Sequence, residues 1–270
     1  MKNFKIGFIG TGNMSTAILR GIKTDTKLDK LKIFAYNRSQ ESKNRCINEG
    51  LATSVDSLKE LIEKSEVIFL GIKPKDVPEL LKEISPFLSE DKIIVSMVVA
   101  WPVERIVKSL SNNHFNKIIR IMPNLNASLC KSSTAICSNW KFSSEERELM
   151  HNLLNSFGSS YEIKEEDFAK FAALAGSSPA LILNFYKNFE LLGEELGINY
   201  LNLKELFTEV FIGTLKNYLN SSDSPQEIIN KVTSPGGTTI AGIKVFNNEK
   251  IDSIIKKAIQ AILEKDAKLS

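Results

Sequence analysis

Two stretches carry residues whose types and spacing can do chemistry. The first is Gly10-Thr11-Gly12-Asn13-Met14, which breaks the apolar run Lys5-Ile6-Gly7-Phe8-Ile9 and leads into Ala17, Ile18 and Leu19 at helical spacing. Strand, glycine turn and helix in that order form the entry to a dinucleotide-binding unit. Gly10 permits the tight turn, Gly12 lets the backbone approach a pyrophosphate, and the free N–H groups of the helix face that anion. Ser15 stands where the fingerprint has its third glycine, and it is small enough for close helix–strand packing. The second stretch is Val232-Thr233-Ser234-Pro235-Gly236-Gly237-Thr238-Thr239-Ile240, with four hydroxyls around a Pro-Gly-Gly turn between helices. Backbone N–H groups and hydroxyls converging at a helix N-terminus make a cradle for a carboxylate.

Other residues narrow the chemistry. NAD sites carry an acid at the end of the second strand, where it holds the ribose 2′-hydroxyl. The strand at 31–36 ends instead in Asn37-Arg38-Ser39. An amide, a planar cationic fork and a hydroxyl suit a 2′-phosphate, so NADPH is expected over NADH. Ser39 also reads as the N-cap of the next helix. Lys73, in the loop after a strand at 66–72, has two readings: it reaches a phosphate or ribose, or it is a surface lysine before a helix opened by Pro74. The two histidines, His114 and His151, have no carboxylate in register, and the chain has no G-x-S-x-G elbow, Walker lysine loop or metal spacing. A nicotinamide enzyme without a histidine acid is suited to C=N reduction. A protonated imine already carries the positive charge that accepts hydride, whereas a carbonyl needs a strong proton donor.

The elements that must position these groups alternate up to residue 163. Strand signals fall at 31–36, 66–72, 92–97, 117–121, 132–138 and 160–163, with helices at 54–64, 77–88 and 102–109. Ser143-Ser144-Glu145-Glu146 has capping-box character for a helix to about residue 157. Arg120 lies inside an apolar run and is expected to meet a carboxylate or a loop. Beyond residue 165 only helices follow: 167–175, broken by Gly176-Ser177-Ser178-Pro179, then 179–196, 201–219, 225–231 and 249–264. The helix at 179–196 is apolar on more than one side, so a partner chain is its expected cover. The predicted fold is therefore α/β, a Rossmann-type doubly wound, mainly parallel sheet over residues 1–164 followed by an all-α dimerisation and substrate-binding domain over 165–270.

Composition bounds the setting. A length of 270 residues allows about two domains, and 43% hydrophobic with 25% charged residues is the composition of a globular protein. The net charge of +3 gives no basis for nucleic-acid binding. Cys46, Cys130 and Cys137 have no C-x-x-C spacing, which argues against a disulfide framework or a zinc site and fits a reducing compartment. The chain starts on a strand, and no signal peptide is expected. The apolar stretch around 93–103, interrupted by Ser96 and Pro102, is too short to span a bilayer. A cytoplasmic protein without membrane contact is expected.

The motifs also carry a family resemblance. Ile9-Gly10-Thr11-Gly12-Asn13-Met14, Gly71-Ile72-Lys73-Pro74, Arg120-Ile121-Met122-Pro123-Asn124, Ala173-Leu174-Ala175-Gly176-Ser177-Ser178-Pro179-Ala180 and Thr233-Ser234-Pro235-Gly236-Gly237-Thr238-Thr239 together resemble pyrroline-5-carboxylate reductase over nearly the full length. The last stretch is the most specific. The resemblance implies reduction of the C=N bond of L-1-pyrroline-5-carboxylate to L-proline, the last step of proline biosynthesis, with NADPH and more weakly NADH. It implies that Ser234, Gly236, Gly237 and Thr238 hold the substrate carboxylate and that Thr239 contacts the imine nitrogen. The cofactor set is then Gly10, Thr11, Gly12, Asn13, Met14, Asn37, Arg38, Ser39, Ile72, Lys73, Pro74, Met122 and Asn124, with no metal. In the family the substrate loop faces a nicotinamide held by the partner subunit, which implies an obligate homodimer and, in larger rings of dimers, a decamer.

The chain departs from the family pattern at Leu125 and Asn126, usually Thr-Pro, and at Cys130, Ser178 and Ala100, each usually glycine. These positions are expected to border the nicotinamide and substrate pocket. Two other readings stay open. One is a paralogue that reduces another cyclic imine or small acid. The other is a dinucleotide-binding regulator without turnover, which has no reason to keep the hydroxyl-rich loop.

Overall fold

Short runs of apolar, mostly β-branched residues build the centre of one eight-stranded sheet. The computed structural model describes residues 4–268 apart from 29, 112–114, 116, 140, 141 and 199, so His114 lies outside the described residues. In chain order the first elements are β1 (Lys5–Ile9), α1 (Asn13–Thr24), β2 (Lys32–Tyr36), α2 (Gln40–Asn48), β3 (Thr53–Ser54), α3 (Leu58–Lys64) and β4 (Val67–Leu70). Then come α4 (Val77–Ile84), β5 (Ile93–Ser96), α5 (Val103–Ser109), β6 (Ile118–Met122), β7 (Ser132–Ser138), α6 (Ser144–Asn155) and β8 (Gly158–Glu162). The strand order is β3-β2-β1-β4-β5-β6-β7-β8, and every pair is parallel except β6–β7.

Strands β4, β5 and β6 are buried along their whole length, as a sheet covered on both faces requires. Ile6 and Phe8 pack with Ile18, Leu19, Leu153 and Phe157 on one face. Ile68 and Leu70 pack with Leu61, Leu81 and Ile106 on the other. This is the doubly wound arrangement. The sheet turns back between β1 and β4, and the stacked rings of Phe8 and Phe69, 4.5 Å apart and in direct register, fix how those strands align.

Some boundaries move. The helix expected at 54–64 starts at Leu58, because the Ser57 hydroxyl accepts the Glu60 N–H at 3.1 Å, while Thr53–Ser54 pairs with β2. The helix at 77–88 ends at Ile84 and continues as a tighter turn, Ser85–Phe87, that admits Pro86. The capping box forms: the Ser143 hydroxyl accepts the Glu146 N–H, and the Glu146 carboxylate accepts the Ser143 N–H. Arg120 meets a carboxylate, pairing with Glu165 and stacking 4.4 Å over the Phe168 ring.

The expected break at 176–179 is not a break. After α7 (Phe168–Phe171) the helix widens over Ala172–Gly176, where the Ser177 N–H reaches back five residues to the Ala172 carbonyl at 2.9 Å. The widened turn makes room for Pro179, whose ring would collide with the Ala175 carbonyl in a regular helix. That carbonyl instead accepts the Asn124 side-chain amide at 3.3 Å, so α8 (Ser178–Glu195) carries on. Phe168 is buried beside Met122 and Ala135, and Ala173 is fully buried. Packing divides the chain into two units, Met1–Pro179 with Leu263–Ser270, and Ala180–Ile262.

The second unit is helical: most of α8, then α9 (Leu203–Leu219), α10 (Pro225–Val232) and α11 (Thr238–Asn248), and most of α12 (Ile251–Ala267). Gly193 lets α8 and α9 touch; a Cβ there would fall 2.8 Å from Leu203. Phe185, Phe189 and Phe211 form an edge-to-face cluster. Leu183, Leu192, Leu215 and Val245 stay exposed in the single chain. The helical run Glu165–Glu195 is long and apolar enough, by length and composition, to cross a membrane, which the reading of 93–103 did not register.

Candidate active site

The carboxyl ends of β1 and β4 open a cleft of about 660 Å³ at the point where the strand order reverses. Ligands sit at such switch points in open parallel sheets. Gly10 leaves β1 with φ +88, and a Cβ on it would lie 2.6 Å from the Gly71 carbonyl oxygen. Gly71 is as constrained: a Cβ there would fall 2.1 Å from the Ser15 hydroxyl and 2.5 Å from the Gly10 carbonyl oxygen. The missing third glycine is thus compensated from across the sheet. Ser15 fits because its neighbour on β4's exit has no side chain.

The turn itself is held by side chains. Asn37 Oδ1 accepts both the Thr11 N–H at 2.7 Å and the Thr11 hydroxyl at 2.9 Å. Arg45, on α2, donates to the Thr11 carbonyl at 2.6 Å. Thr11 is 1% exposed, so it serves the turn rather than a ligand directly. Beyond it, Gly12 is the N-cap of α1, makes no side-chain cap, and has open space where a Cβ would project, with no described atom within 4 Å. The first N–H groups of a helix have no partner inside it. Here the Asn13, Met14 and Ser15 amides are those groups, and no acidic side chain stands in that turn.

A pyridine dinucleotide fits this cleft. The open face at Gly12 and the helix amides suit its pyrophosphate. The Asn37 Nδ2 donor is buried and has no hydrogen-bond partner among the described residues. Arg38, Ser39, Ile72 and Lys73 line the cleft with them. The Ser39 hydroxyl also accepts the Ser42 N–H at 3.3 Å, so the N-cap reading holds as well. Pro74 opens a short turn whose carbonyl accepts the Trp101 indole N–H at 3.1 Å; it shapes the loop that carries Lys73.

Met122 and Asn124 do not line this cleft. Met122 packs beside Phe168, and Asn124 spends its side chain on the Asn126 N–H and the Ala175 carbonyl. The departures from the family pattern also stay out of its lining. Cys130 and Ala100 adopt the left-handed backbone that a glycine would take, with φ +55 and +62. The Cys130 thiol lies 3.5 Å from the Gly21 carbonyl under α1, and Ala100 is 2% exposed. Leu125 is exposed, and the Ser178 hydroxyl donates to the Leu174 carbonyl. A second cavity of about 380 Å³ beside α6 includes His151, which pairs with Asn155, and none of the predicted site residues.

In the helical unit, Ser234, Pro235, Gly236, Thr238 and Thr239 are exposed around a turn in which Gly236 has φ +76. The Gly237 N–H donates to the Ser234 carbonyl at 3.0 Å, and a Cβ on Gly237 would meet the Ser234 hydroxyl at 2.6 Å. Gly237 is the N-cap of α11 and provides no side-chain cap, so Thr238 and Thr239 sit in a first turn whose amides face outward beside their own hydroxyls. Thr233 is turned away: its hydroxyl donates to the Ile229 carbonyl at 2.8 Å. Sequence reasoning gave Gly71 and Arg45 no part in shaping the turn. A glycine closing β4 was the one available signal for the first.

Fold and cleft together define a dinucleotide-binding oxidoreductase domain followed by a helical domain. Residues 165–269 match the family described as pyrroline-5-carboxylate reductase dimerisation, and residues 5–100 match the one described as NADP oxidoreductase, coenzyme F420-dependent. A pyrroline-5-carboxylate reductase from Staphylococcus haemolyticus is 32% identical over 268 residues, 98% of each chain. The crystal structure of the 1-pyrroline-5-carboxylate reductase from Streptococcus pyogenes superposes with a TM-score of 0.87 at 32% identity, covering 98% of this chain and 99% of that one. The Plasmodium falciparum pyrroline carboxylate reductase, solved with NADP bound, gives a TM-score of 0.89 at 25% identity, covering 100% and 99%. The chain belongs to the pyrroline-5-carboxylate reductase family, whose members are NAD(P)-dependent oxidoreductases.

Proposed function

We propose that this chain reduces the C=N bond of L-1-pyrroline-5-carboxylate to L-proline with NADPH as its preferred reductant. The observation that carries the reading is a pair of sites in one chain. One is a dinucleotide cleft whose second strand ends in Arg38 without an acid. The other is the Ser234–Gly236–Gly237 turn at a helix N-terminus, with Thr239 in the first turn of that helix.

The bound cofactor supplies hydride from its nicotinamide. The chain's residues do the rest. The amides of Gly12, Asn13 and Met14 hold the pyrophosphate, while Thr11, Asn37 and Arg45 keep the turn in the shape that presents them. Arg38, with Ser39 and Lys73, takes the 2′-phosphate by charge-assisted hydrogen bonds. Ile72 forms the wall beside it, and Pro74 shapes the loop that carries Lys73. Met122 and Asn124 act indirectly, by seating the widened turn at Ala172–Gly176. Ser234 and the amides of Gly236, Gly237 and Thr238 receive the substrate carboxylate. The Thr239 hydroxyl hydrogen-bonds the imine nitrogen and fixes which carbon is presented for hydride. A protonated imine takes its electron pair onto nitrogen, so no strong acid is needed when the hydride arrives.

The active form in this reading is a homodimer, with the exposed apolar faces of α8 and α9 as the buried surface and the carboxylate cradle of one subunit serving the nicotinamide of its partner. Five such dimers form a decamer, and the three unpaired thiols fit the cytoplasm. The test is NADPH oxidation with pyrroline-5-carboxylate against a panel of other cyclic imines and keto acids. Selective turnover of pyrroline-5-carboxylate is the expected result. A faster imine in the panel would assign a paralogous reductase, and tight NADPH binding with no turnover on any of them a regulator.

A further inference from the structure

The loop after β4 brings an acid to the place that the second strand leaves without one. Asp76 closes the short turn Pro74–Asp76, and its carboxylate lies 3.6 Å from the Arg38 guanidinium. Both side chains line the dinucleotide cleft, with Lys73, Lys75 and Glu83 on the same wall. Asp76 immediately precedes α4, a position where an aspartate ordinarily caps the helix. Among the described residues its carboxylate makes no such hydrogen bond. The pair with Arg38 is loose. The separation exceeds hydrogen-bond length, the Arg38 side chain is 60% exposed, and exposed ion pairs of this kind contribute little to stability. Neither group is held by the other, so each is available to a ligand.

We propose that Arg38 and Asp76 are alternative ligands for the adenosine ribose of the cofactor, and that Asp76 sets selectivity by weakening NADPH and supporting NADH. The inference rests on the assignment of the 2′-phosphate to Arg38. A phosphate seated on Arg38 brings its negative charge beside the Asp76 carboxylate, which opposes binding without preventing it. A ribose with a free 2′-hydroxyl donates to Asp76 instead. That is the contact an acid at the end of the second strand makes in NAD sites, supplied here from the neighbouring crossover.

The experiment reads binding alone, by calorimetric titration of NADP⁺ and NAD⁺ with no imine present, on the wild type and on Asp76→Ala, Asp76→Asn and Arg38→Ala. Asp76→Ala should tighten NADP⁺ about fivefold and weaken NAD⁺ about fivefold, the scale of one partly exposed charge contact and one hydrogen bond. Asp76→Asn keeps an accepting oxygen and loses the charge, so it should tighten NADP⁺ and leave NAD⁺ within about twofold. If the ratio of the two affinities is unmoved in both Asp76 variants, the proposal is wrong. Arg38→Ala tests the assignment beneath it and should weaken NADP⁺ about ten- to a hundredfold with little change for NAD⁺. Should Arg38→Ala spare NADP⁺, the phosphate assignment fails. Should it act as expected while both Asp76 variants do nothing, only the role of Asp76 fails.

Discussion

Gly10 and Gly12 are two residues apart in one motif, yet the structure gives them separable jobs. Replacing each with alanine should expose the difference. At Gly10 the backbone has φ +88, and the new methyl would lie 2.6 Å from the Gly71 carbonyl oxygen. Left-handed strain of about 1–3 kcal/mol and overpacking of about 1–3 kcal/mol add to roughly 2–6 kcal/mol. For a unit of this size that lowers Tm by about 5–20 °C. At Gly12 the φ is −68 and no described atom stands within 4 Å of the added Cβ. Gly12→Ala should therefore cost only the poorer N-cap, under about 1 kcal/mol and a Tm change within about 3 °C. The same methyl occupies the space through which a pyrophosphate reaches the α1 amides. Loss of one charge-assisted hydrogen bond, about 1.5–3 kcal/mol, raises the NADP⁺ Kd at least tenfold. Thermal melts and calorimetric NADP⁺ titrations on the two variants measure both quantities. A Gly12→Ala protein that binds NADP⁺ normally, or a Gly10→Ala protein that melts like the wild type, would refute the division.

Thr239→Val, in the exposed first turn of α11, should lower turnover about ten- to a hundredfold at saturating NADPH while NADPH affinity stays within about twofold; Ser234→Ala should act mainly on the imine KM. Equal effects of both variants on kcat would contradict the separate roles. Leu183 is 63% exposed in the single chain, so Leu183→Glu should leave the helical unit folded but yield inactive monomer by size-exclusion chromatography. Phe185 is a poorer probe, because its ring packs on Phe189 and Phe211. Cys130→Gly relieves a left-handed residue, about 1–2 kcal/mol, and gives back about 0.4–1 kcal/mol of unfolded-chain entropy. The urea midpoint should therefore rise slightly, and a fall would show that the thiol packing dominates. Burial and the neighbouring Glu165 carboxylate push the Cys137 thiol up to about 11. At pH 8 its iodoacetamide alkylation should run about a hundredfold slower than an ordinary thiol's, and Glu165→Gln should speed it.

The parts of this site that were legible in the sequence are the local ones. A strand, a glycine turn and a helix within the first nineteen residues form the turn proposed for the pyrophosphate, and the end of β2 carries Arg38 in plain view. The capping box at Ser143 and the carboxylate for Arg120 followed from equally short-range rules. What stayed hidden depends on register and crossovers. Gly71 matters because Ile9 pairs with Leu70, which sets Gly10 against it. Asp76 lines the cleft from a crossover turn and Arg45 holds the Thr11 carbonyl from α2, and no spacing rule connects either to Gly10. The continuity of α7 and α8 was missed because Gly176 and Pro179 are local breakers. The group that satisfies the freed Ala175 carbonyl is Asn124, 51 residues earlier. The run Glu165–Glu195 gives an apolar signal that composition alone cannot divide between a membrane and a second copy of the chain.

The central claim is hydride transfer to an imine carbon, and isotope transfer tests it most directly. The purified protein is given pyrroline-5-carboxylate and NADPH deuterated at the reactive face of nicotinamide carbon 4, and the product is analysed by mass spectrometry. The account predicts L-proline one mass unit heavier, with the deuterium on ring carbon 5, the former imine carbon. Proline without deuterium, or deuterated cofactor left unconsumed while NADP⁺ still binds tightly, would contradict it.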